Sequence, residues 1–218
     1  MKSVLQEHDA QLIENYNGIV GLDEVGRGAL AGPVFTAACW IKPSFFEKAG
    51  IWTLTSEIRD SKKMSKKKRS EASEHLAYLK SEGFIDYAIA SASVKEIDSY
   101  NIAGATQRAF VRSLEQVVTR KLMSTQPLIL VDGRPLKGVS FEHKAIIGGD
   151  DRSLAIAMAS ILAKEARDQW MEVLHLDFPQ YDWKSNKGYG TLAHREGIRA
   201  HGVCCEHRTL FLRKILNN

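Results

Sequence analysis

The stretch from residue 18 to residue 28, GIVGLDEVGRG, constrains the fold more than any other part of the chain. A short apolar run brings two adjacent carboxylates, Asp23 and Glu24, to the mouth of a glycine-flanked turn. Carboxylates are rarely buried without partners, because removing their charge from water is costly. A divalent cation is the simplest partner for two acids at the end of a strand. This stretch therefore predicts a strand that ends in a metal site.

The turn after these acids allows close approach by another molecule. Gly26 and Gly28 leave backbone amides unshielded, and Arg27 between them adds one guanidinium. Acids that hold a metal, beside a basic turn that holds a phosphate, are typical of phosphodiester chemistry. Neighbouring side chains on a regular strand face opposite ways, so Asp23 and Glu24 cannot both point at one centre. Either the strand ends or bulges at Glu24, or the two acids differ in role, and we expect Asp23 to be the direct ligand.

The spacing of Gly26, Gly28 and Ala31 also matches the dinucleotide-binding fingerprint formally. That motif requires a helix to begin at the second glycine, with a pyrophosphate at its N-terminus. Here Pro33 blocks a helix, and the β-branched and aromatic run VFTAACWI at residues 34–41 predicts a second strand instead. So short a connection predicts an antiparallel pair. The dinucleotide interpretation is therefore disfavoured.

Composition limits the class of protein. The chain has 218 residues, of which 44% are hydrophobic, and a net charge of +4. This length and hydrophobic content suffice for one large domain whose core needs no disulfide or metal. The three cysteines include the neighbours Cys204 and Cys205, which implies no disulfide framework and favours a reducing, cytoplasmic location. No apolar run reaches the ~20 residues of a membrane span, and the first residues lack the apolar centre of a signal peptide. A pI near 8.9 suggests a polyanionic partner.

A third acid follows a continuous apolar run. Residues 128–131, LILV, lead into Asp132 and Gly133. This pattern predicts a buried central strand with a carboxylate at its C-terminal end, where open α/β sheets place their sites. An ordinary turn residue before Gly133 is an equally good interpretation on this evidence alone.

Asp150 and Asp168 compete for a further position in the metal site. Asp150 lies in the turn GGDDRS, before a helix predicted over residues 154–174, for which Asp151 or Ser153 is the expected N-cap. In a continuous helix, Asp168 lies about 25 Å beyond that turn, at a rise of about 1.5 Å per residue. Paired catalytic metals are only about 4 Å apart. We therefore expect Asp150 at the site and Asp168 in packing or a salt bridge.

A basic run and an aromatic turn complete the candidates. Residues 62–69 hold six lysines and arginines, which predict either a solvated helix face or a clamp on nucleic-acid phosphates. Tyr189 lies in the turn KGYG, which suits stacking on a sugar or base, with packing at a hinge as the alternative. The histidines and cysteines of residues 194–207 have no closed zinc spacing, so zinc is disfavoured. His207 and Arg208 are expected to pack or to contact phosphate.

The remaining pattern alternates strands and helices. Asp60 or Ser65 is the expected cap of a helix that runs to residue 81. Further strands are predicted at residues 84–90 and 143–147, further helices at residues 93–100, 103–123, 192–200 and 209–216, and a connecting segment of undefined structure at residues 44–59.

Taken in order, these motifs resemble the bacterial ribonuclease HII family, the type 2 ribonucleases H. The resemblance covers almost the whole chain and is carried by GLDEVGRG at residues 21–28, DSKK at 60–63, VDG at 131–133, GD at 149–150, ASILAK at 159–164, RD at 167–168, KGYGT at 187–191 and HR at 207–208. It implies an α/β fold with a ribonuclease H-like mixed five-stranded sheet, helices on both faces and a C-terminal helical segment. The implied organisation is an N-terminal lead-in (residues 1–17), a catalytic core (18–178) and a C-terminal segment that completes the substrate groove (179–218).

The same resemblance assigns site residues and an activity. The family's catalytic, metal-binding acids fall on Asp23, Glu24, Asp132 and Asp150, which implies Mg²⁺ or Mn²⁺ as the cofactor. Its substrate contacts fall on Gly26, Arg27, Gly28, Ser61, Lys62, Lys63 and Tyr189. The implied enzyme is an endoribonuclease that cleaves the RNA strand of RNA/DNA hybrids and the 5′ side of ribonucleotides embedded in duplex DNA, by two-metal hydrolysis that gives 5′-phosphate and 3′-hydroxyl ends. We expect a monomer active in ribonucleotide excision repair, and the apolar residues 211–216 permit contact with a sliding clamp.

The chain departs from the family pattern at several points, and two other classes stay open. Ala29 replaces the usual proline, Gly149 replaces a common lysine, and the pair Cys204–Cys205 is unusual. A junction resolvase of related fold would also use clustered acids, but it would cut an all-DNA substrate. A hybrid-binding protein without catalysis would keep the basic run and lose nothing when Asp23 is changed.

Overall fold

Five strands form one mixed sheet in the computed structural model, which describes residues 1–121 and 127–216. In chain order they are β1 (Ile19–Val25), β2 (Val34–Ile41), β3 (Ile85–Ala92), β4 (Leu128–Asp132) and β5 (Lys144–Ile146). Their order across the sheet is β3-β2-β1-β4-β5. β2 is antiparallel to both β1 and β3, whereas β4 is parallel to both β1 and β5. The expected mixed sheet and its opening hairpin are confirmed.

Helices cover both faces of this sheet. They are α1 (Val4–Leu12), α2 (Ala49–Thr55), α3 (Lys66–Ser81), α4 (Val94–Lys121), α5 (Leu154–Asp177), α6 (Trp183–Asn186), α7 (Leu192–His201) and α8 (Thr209–Leu216). Short 3-10 turns lie at Ile13–Asn15, Pro43–Glu47, Ser61–Lys63, Gly149–Asp151 and Pro179–Tyr181. Among the helices of the described residues, none combines the length and the apolar character needed to cross a membrane.

Several elements differ from their predicted boundaries. The segment expected to lack defined structure contains α2, and α5 runs on to Asp177, past its predicted end. α4 contains a break at Asn101, whose φ of 57° separates the two helices predicted there. The predicted end of the second of these, Met123, lies outside the described residues. Ser65 caps α3, and Asp60 caps the 3-10 turn before it.

The apolar residues of β1 alternate between two cores. Ile19 packs in the core beneath α5, whereas Val20 and Leu22 pack in a second core beneath α4. Gly21 lets α5 lie directly on β1, because a Cβ atom at this glycine would come within 2.1 Å of the Ala155 backbone. α5 therefore runs along β1 towards the candidate site.

The start of α5 is anchored by α1. The Ser153 hydroxyl accepts a hydrogen bond from the Ile156 amide, which confirms Ser153 rather than Asp151 as the cap. Asp9 of α1 is buried and accepts hydrogen bonds from the Ser153 hydroxyl at 3.0 Å and from the Ala155 amide at 2.8 Å. A carboxylate at a helix N-terminus also interacts favourably with the helix dipole. The N-terminal lead-in is thereby fixed to the core.

The C-terminal helices pack an aromatic cluster against the turn that follows β1. Tyr181 and Trp183 stack with their ring centres 5.1 Å apart, in the same cluster as Leu30. An isolated β-bridge pairs Ala31 with His207. The last part of the chain thus supports the glycine-rich turn, while the three-part domain organisation stays a prediction.

Candidate active site

Three carboxylates, here called the acid cluster, converge at one edge of the sheet. Asp23 lies near the end of β1, Asp132 ends the parallel neighbour β4, and Asp150 lies in the 3-10 turn before α5. One carboxylate oxygen from each lies within 4.8 Å of the others. Asp23 and Asp150 are buried and Asp132 is half-buried. The Gly149 amide donates to the Asp132 carboxylate at 2.7 Å, which ties the turn to β4.

Glu24 lies beside this cluster rather than inside it. β1 continues without a bulge to Val25, which pairs with Phe35 of β2, so Asp23 and Glu24 face opposite sides of the sheet. The Glu24 carboxylate accepts a hydrogen bond from Arg27 at 2.9 Å. The Asp23 carboxylate instead accepts one from the Glu24 amide at 2.7 Å. The two adjacent acids therefore differ in surroundings, the second of the alternatives that the sequence left open.

The acids are held close to one another in a poorly solvated place. Burial raises the pKa of Asp23 well above its usual range, and the neighbouring charges of Glu24 and Asp132 raise it further. Burial also raises the pKa of Asp150, and the carboxylates of Asp60 and Asp132 add to this effect. The carboxylates of the acid cluster therefore repel one another, and a bound cation would reduce this repulsion.

Ser160 of α5 supports Asp23 and is itself bonded to Ser61 of the 3-10 turn before α3. Hydrogen bonding from Ser160 opposes the rise in the Asp23 pKa. The Ser160 hydroxyl lies 2.8 Å from that of Ser61, a residue only 2% exposed. The Ser61 hydroxyl therefore faces the interior, and a contact between Ser61 and substrate stays a prediction. The role of Ser160 was missed because a serine within an apolar helix gives no signal of its own.

The glycine-rich turn packs against the protein interior at Gly26 and is accessible to other molecules at Gly28. Gly26 has a φ of 89°, and a Cβ atom there would come within 2.1 Å of the Arg167 guanidinium. A Cβ atom at Gly28 would meet nothing within 4 Å, so the backbone at that position is accessible. The Arg27 side chain is 53% exposed. This turn can therefore receive another molecule at close range.

Two fully buried arginines brace this turn. Their guanidinium groups donate to backbone carbonyls at 2.8 to 3.1 Å, Arg167 to Ala31, Pro33 and Lys187, and Arg208 to Arg27 and Gly32. Burial lowers the pKa of Arg208 to about 9, and the charge of Arg167 adds to this shift. Of the two roles expected for Arg208, packing is the one observed. Arg167 was missed, because an arginine inside a helix is ordinarily solvated.

Two lysines flank the acid cluster. The Lys62 amine lies 3.6 Å from the Asp150 carboxylate. Against the lowering effect of burial, the carboxylates of Asp23 and Asp150 raise the pKa of Lys62. Lys63 forms an ion pair with Asp151, whose carboxylate is thereby engaged outside the acid cluster. Both lysine side chains are largely exposed and available to an incoming polyanion.

The rest of the basic run is neutralised by acids of neighbouring elements. The ion pairs are Lys66 with Glu172, Lys68 with Glu57, and Arg69 with Glu165, while Lys67 lies 3.8 Å from Glu71 within α3 itself. Asp168 accepts a hydrogen bond from Lys164 at 2.6 Å, one helical turn earlier on α5, as expected for a salt-bridge residue. The solvated-face interpretation therefore describes α3, and the lysines that face the site, Lys62 and Lys63, lie in the 3-10 turn before it.

Tyr189 lies on the turn between α6 and α7, next to the glycine-rich turn. The Gly188 carbonyl accepts a hydrogen bond from the Leu30 amide at 2.8 Å, which joins the two turns. The Tyr189 ring is half-buried, with the Arg167 guanidinium 5.4 Å from its centre.

A groove of about 280 Å³ borders the acid cluster. It is lined by Glu24, Arg27, Gln107, Asp132 and Arg134, among others.

The donor set of the acid cluster decides which ion it fits. Carboxylate oxygens are the ligands that hard divalent cations such as Mg²⁺ prefer, and Mn²⁺ accepts the same set. Within the described parts of the chain, this cluster is the only group of three or more candidate ligands close enough to share an ion. Among the described residues, the histidines and cysteines near the C-terminus do not form a second such group.

Acids gathered at the end of parallel strands, with basic groups around them, define a metal-dependent nuclease. The sequence model for "Ribonuclease HII" matches residues 20–214. The chain belongs to the ribonuclease HII family and is a hydrolytic ribonuclease.

Individual relatives agree with this assignment. The chain is 41% identical over 208 residues to ribonuclease HII of Ehrlichia chaffeensis, which covers 95% of this chain and 92% of that protein. It is 41% identical over 204 residues to the enzyme of Wolbachia pipientis, covering 93% and 95%. Among solved structures, ribonuclease H2 of Pyrococcus horikoshii is similar with a TM-score of 0.67 at 23% identity, covering 92% of this chain and 97% of that one. A ribonuclease HIII in complex with Mn²⁺ has a TM-score of 0.69 at 18% identity, covering 96% and 72%, which supports the shared fold.

Proposed function

We propose that this ribonuclease cleaves the RNA strand of RNA/DNA hybrids and also the 5′ side of a ribonucleotide embedded in duplex DNA. Family membership supports an endoribonuclease that acts on RNA/DNA hybrids. The observation that carries the proposal is the meeting of Asp23, Asp132 and Asp150 within 4.8 Å, beside a turn open to close approach.

The acid cluster would hold the divalent ions, with Glu24 at its side. When bound, Mg²⁺ or Mn²⁺ supplies an activated water and stabilises charge on the leaving 3′ oxygen, so that the products carry 5′-phosphate and 3′-hydroxyl ends. Asp23 is held by the Glu24 amide and Ser160, and Asp132 by the Gly149 amide. These hydrogen bonds fix the carboxylates before any ion arrives, which lowers the cost of reorganisation.

The glycine-rich turn would read the sugar. Detection of a 2′-hydroxyl distinguishes RNA from DNA, and backbone groups of Gly26, Arg27 and Gly28 can approach it because the turn carries little side-chain bulk. Tyr189 would stack at the following sugar and favour a deoxyribose there. Lys62 and Lys63 would contact phosphates as the strand crosses the acid cluster.

One assay tests this proposal against its alternatives. A duplex with a single embedded ribonucleotide is incubated with and without Mg²⁺, beside an all-DNA duplex, and the products are resolved by length. We expect cleavage of the first duplex only, dependent on the metal. Cleavage of the all-DNA duplex would indicate a resolvase-like nuclease instead.

The Asp132→Asn variant completes the test. Its cleavage rate should fall by about a thousandfold or more, while binding to a hybrid survives, because the amide keeps the shape and loses the charge. Asp168→Asn is the matched control: it changes a buried aspartate farther along α5 that serves ion pairs, and its rate should stay within a few-fold of the parent. Normal turnover by Asp132→Asn would contradict the assignment of the acid cluster.

Contact with a sliding clamp is a second, separate proposal. A solved complex of PCNA with ribonuclease HII of Archaeoglobus fulgidus contains a chain similar to this one, with a TM-score of 0.66 at 20% identity, covering 88% of this chain and 94% of that one. In this chain Leu212 is buried in the C-terminal cluster, so the segment expected to make the contact also serves the fold. A pull-down with the clamp, comparing the full chain with one that ends after residue 212, would test it.

A further inference from the structure

A chain of hydrogen bonds connects two buried histidines to the Tyr189 turn. The Cys204 amide donates to His207 Nδ1 at 3.0 Å, and His207 Nε2 lies 3.2 Å from His194 Nε2. Trp183 Nε1 donates to the same His194 nitrogen at 2.9 Å. His194 Nδ1 lies 3.0 Å from the Tyr189 carbonyl oxygen. Both histidine side chains, here called the histidine pair, are at most 2% exposed.

The N–H donors of Trp183 and Cys204 determine which nitrogens of the two histidines carry protons. An indole N–H and a backbone amide can only donate, so His194 Nε2 and His207 Nδ1 must accept and carry no proton. The remaining proton of His194 is then on Nδ1 and donates to the Tyr189 carbonyl. The remaining proton of His207 is on Nε2 and points at His194 Nε2, whose single lone pair it shares with the Trp183 N–H. Each ring is thus neutral with one tautomer, and every ring nitrogen has a partner.

The groups around the pair favour this neutral state. The Tyr181 ring packs edge-on against His207 at 4.6 Å between centres, and the Cys204 sulfur lies 3.3 Å from His207 Nδ1. Among the described residues, no carboxylate shifts the pKa of either histidine. Burial lowers the pKa of His194, and burial together with the neighbouring His194 lowers that of His207.

The far end of this chain of bonds is the backbone that carries the proposed substrate contact. The Tyr189 carbonyl also accepts a hydrogen bond from the Thr191 amide at 2.8 Å, and the Tyr189 amide donates to the Asn186 carbonyl at 2.9 Å. These backbone bonds make a tight turn, and its Lys187 and Gly188 carbonyls join it to Arg167 and Leu30. The His194 bond is a side-chain contact to Tyr189 itself, and it comes from α7, whose cap at Thr191 is part of the same turn.

We propose that His194, held in its tautomer by His207, is a positioning residue that orients Tyr189 for the substrate sugar. This inference rests on the proposed function of Tyr189. A positioning role predicts that the histidines matter only as long as the Tyr189 ring is present, whereas a purely structural role predicts effects independent of that ring.

A double-mutant cycle separates the two roles. KM and kcat for a duplex with one embedded ribonucleotide are measured for the parent, His194→Phe, Tyr189→Ala and the double variant. We expect His194→Phe to raise KM about fivefold with kcat changed less than twofold, and to raise KM less than twofold in the Tyr189→Ala background. Additive effects, or an unchanged KM in folded His194→Phe, would overturn the inference.

The same cycle also distinguishes a failure of this inference from a failure of the proposed function. If Tyr189→Ala alone leaves KM unchanged, the proposed substrate contact fails; if it raises KM and the two changes are additive, only the positioning role fails. His207→Phe should shift KM in the same direction by about two- to threefold and carries the test if His194→Phe does not fold. Tyr181→Phe is the control: it loses a 3.0 Å bond from its hydroxyl to the Gly202 carbonyl in the same aromatic cluster, and its KM should match that of the parent.

Discussion

The acid cluster and the histidine pair respond to protons in opposite directions. In the acid cluster, burial and like charges raise the pKa values of Asp23 and Asp150, so the folded chain holds these protons more tightly than the unfolded chain. Their contribution to the stability of the folded protein therefore decreases as the pH rises from about 4, the ordinary pKa of an aspartate, towards their raised pKa values. In the histidine pair, burial lowers the pKa values, so the unfolded chain binds protons first and stability increases with pH.

The difference shows which region needs a ligand. Every ring nitrogen of the histidine pair has a partner within the protein, so this region is complete by itself. The acid cluster brings three carboxylates together with one lysine, 3.6 Å from Asp150, as its nearest ion-pair partner. Buried like charges persist in folded proteins where a ligand or a reaction uses them. Without a ligand the acid cluster therefore destabilises the folded protein, whereas the histidine pair is stable without one.

The largest effect expected from this comparison is acid destabilisation through His207. Its pKa falls from the ordinary 6.5 to about 4 in the folded chain. The stabilisation is complete above pH 6.5 and is lost as the pH falls towards 4, by about 3 kcal/mol, since one pKa unit corresponds to about 1.36 kcal/mol. Urea unfolding of the parent and of His207→Phe at several pH values measures it.

His207→Phe should reveal the opposite slope of the acid cluster. With the His207 contribution removed, the free energy of unfolding should rise less steeply from pH 4 to 6.5 than in the parent, because His194 keeps its lowered pKa while the raised pKa of Asp23 acts in the opposite direction. Parallel pH profiles for the two proteins would refute the idea that the buried imidazole is held neutral.

A smaller effect is expected at the acid cluster itself. Without metal, Asp23→Asn should stabilise the chain by about 1 kcal/mol, because it removes a buried charge from beside two others and keeps an oxygen for the Glu24 amide. With millimolar Mn²⁺ the parent should gain thermal stability and the variant should gain little, because binding to the folded state stabilises it. A destabilised variant that still responds to Mn²⁺ would show that Asp23 is not a ligand.

Local sequence patterns predicted the acid cluster but not the parts that support it. Asp23 and Asp132 could be placed because each ends an apolar run, and strand ends of this kind share one edge of a sheet. The interior position of the Ser61 hydroxyl could not be predicted, because it bonds a residue 99 positions away and its basic neighbours suggest a surface. The buried arginines were not predicted as braces, because their partners are backbone carbonyls, which no residue type signals. α2 was missed because its segment lacks helical periodicity.

The smallest effect concerns Lys62, and it tests whether the acid cluster and the nucleic acid share one cation. In the free protein Lys62 offsets the charge of Asp150, whereas we expect it to contact a phosphate once substrate and metal are bound. In the cleavage-deficient Asp132→Asn background, Lys62→Ala should therefore reduce the slope of log affinity against log salt by about 1. Lys67→Ala is the matched control, because Lys67 is 87% exposed on α3 and lies 3.8 Å from Glu71, away from the acids. Equal slopes for the two variants would mean that Lys62 serves the acid cluster alone, and that the positive charge at this edge acts on stability rather than on binding.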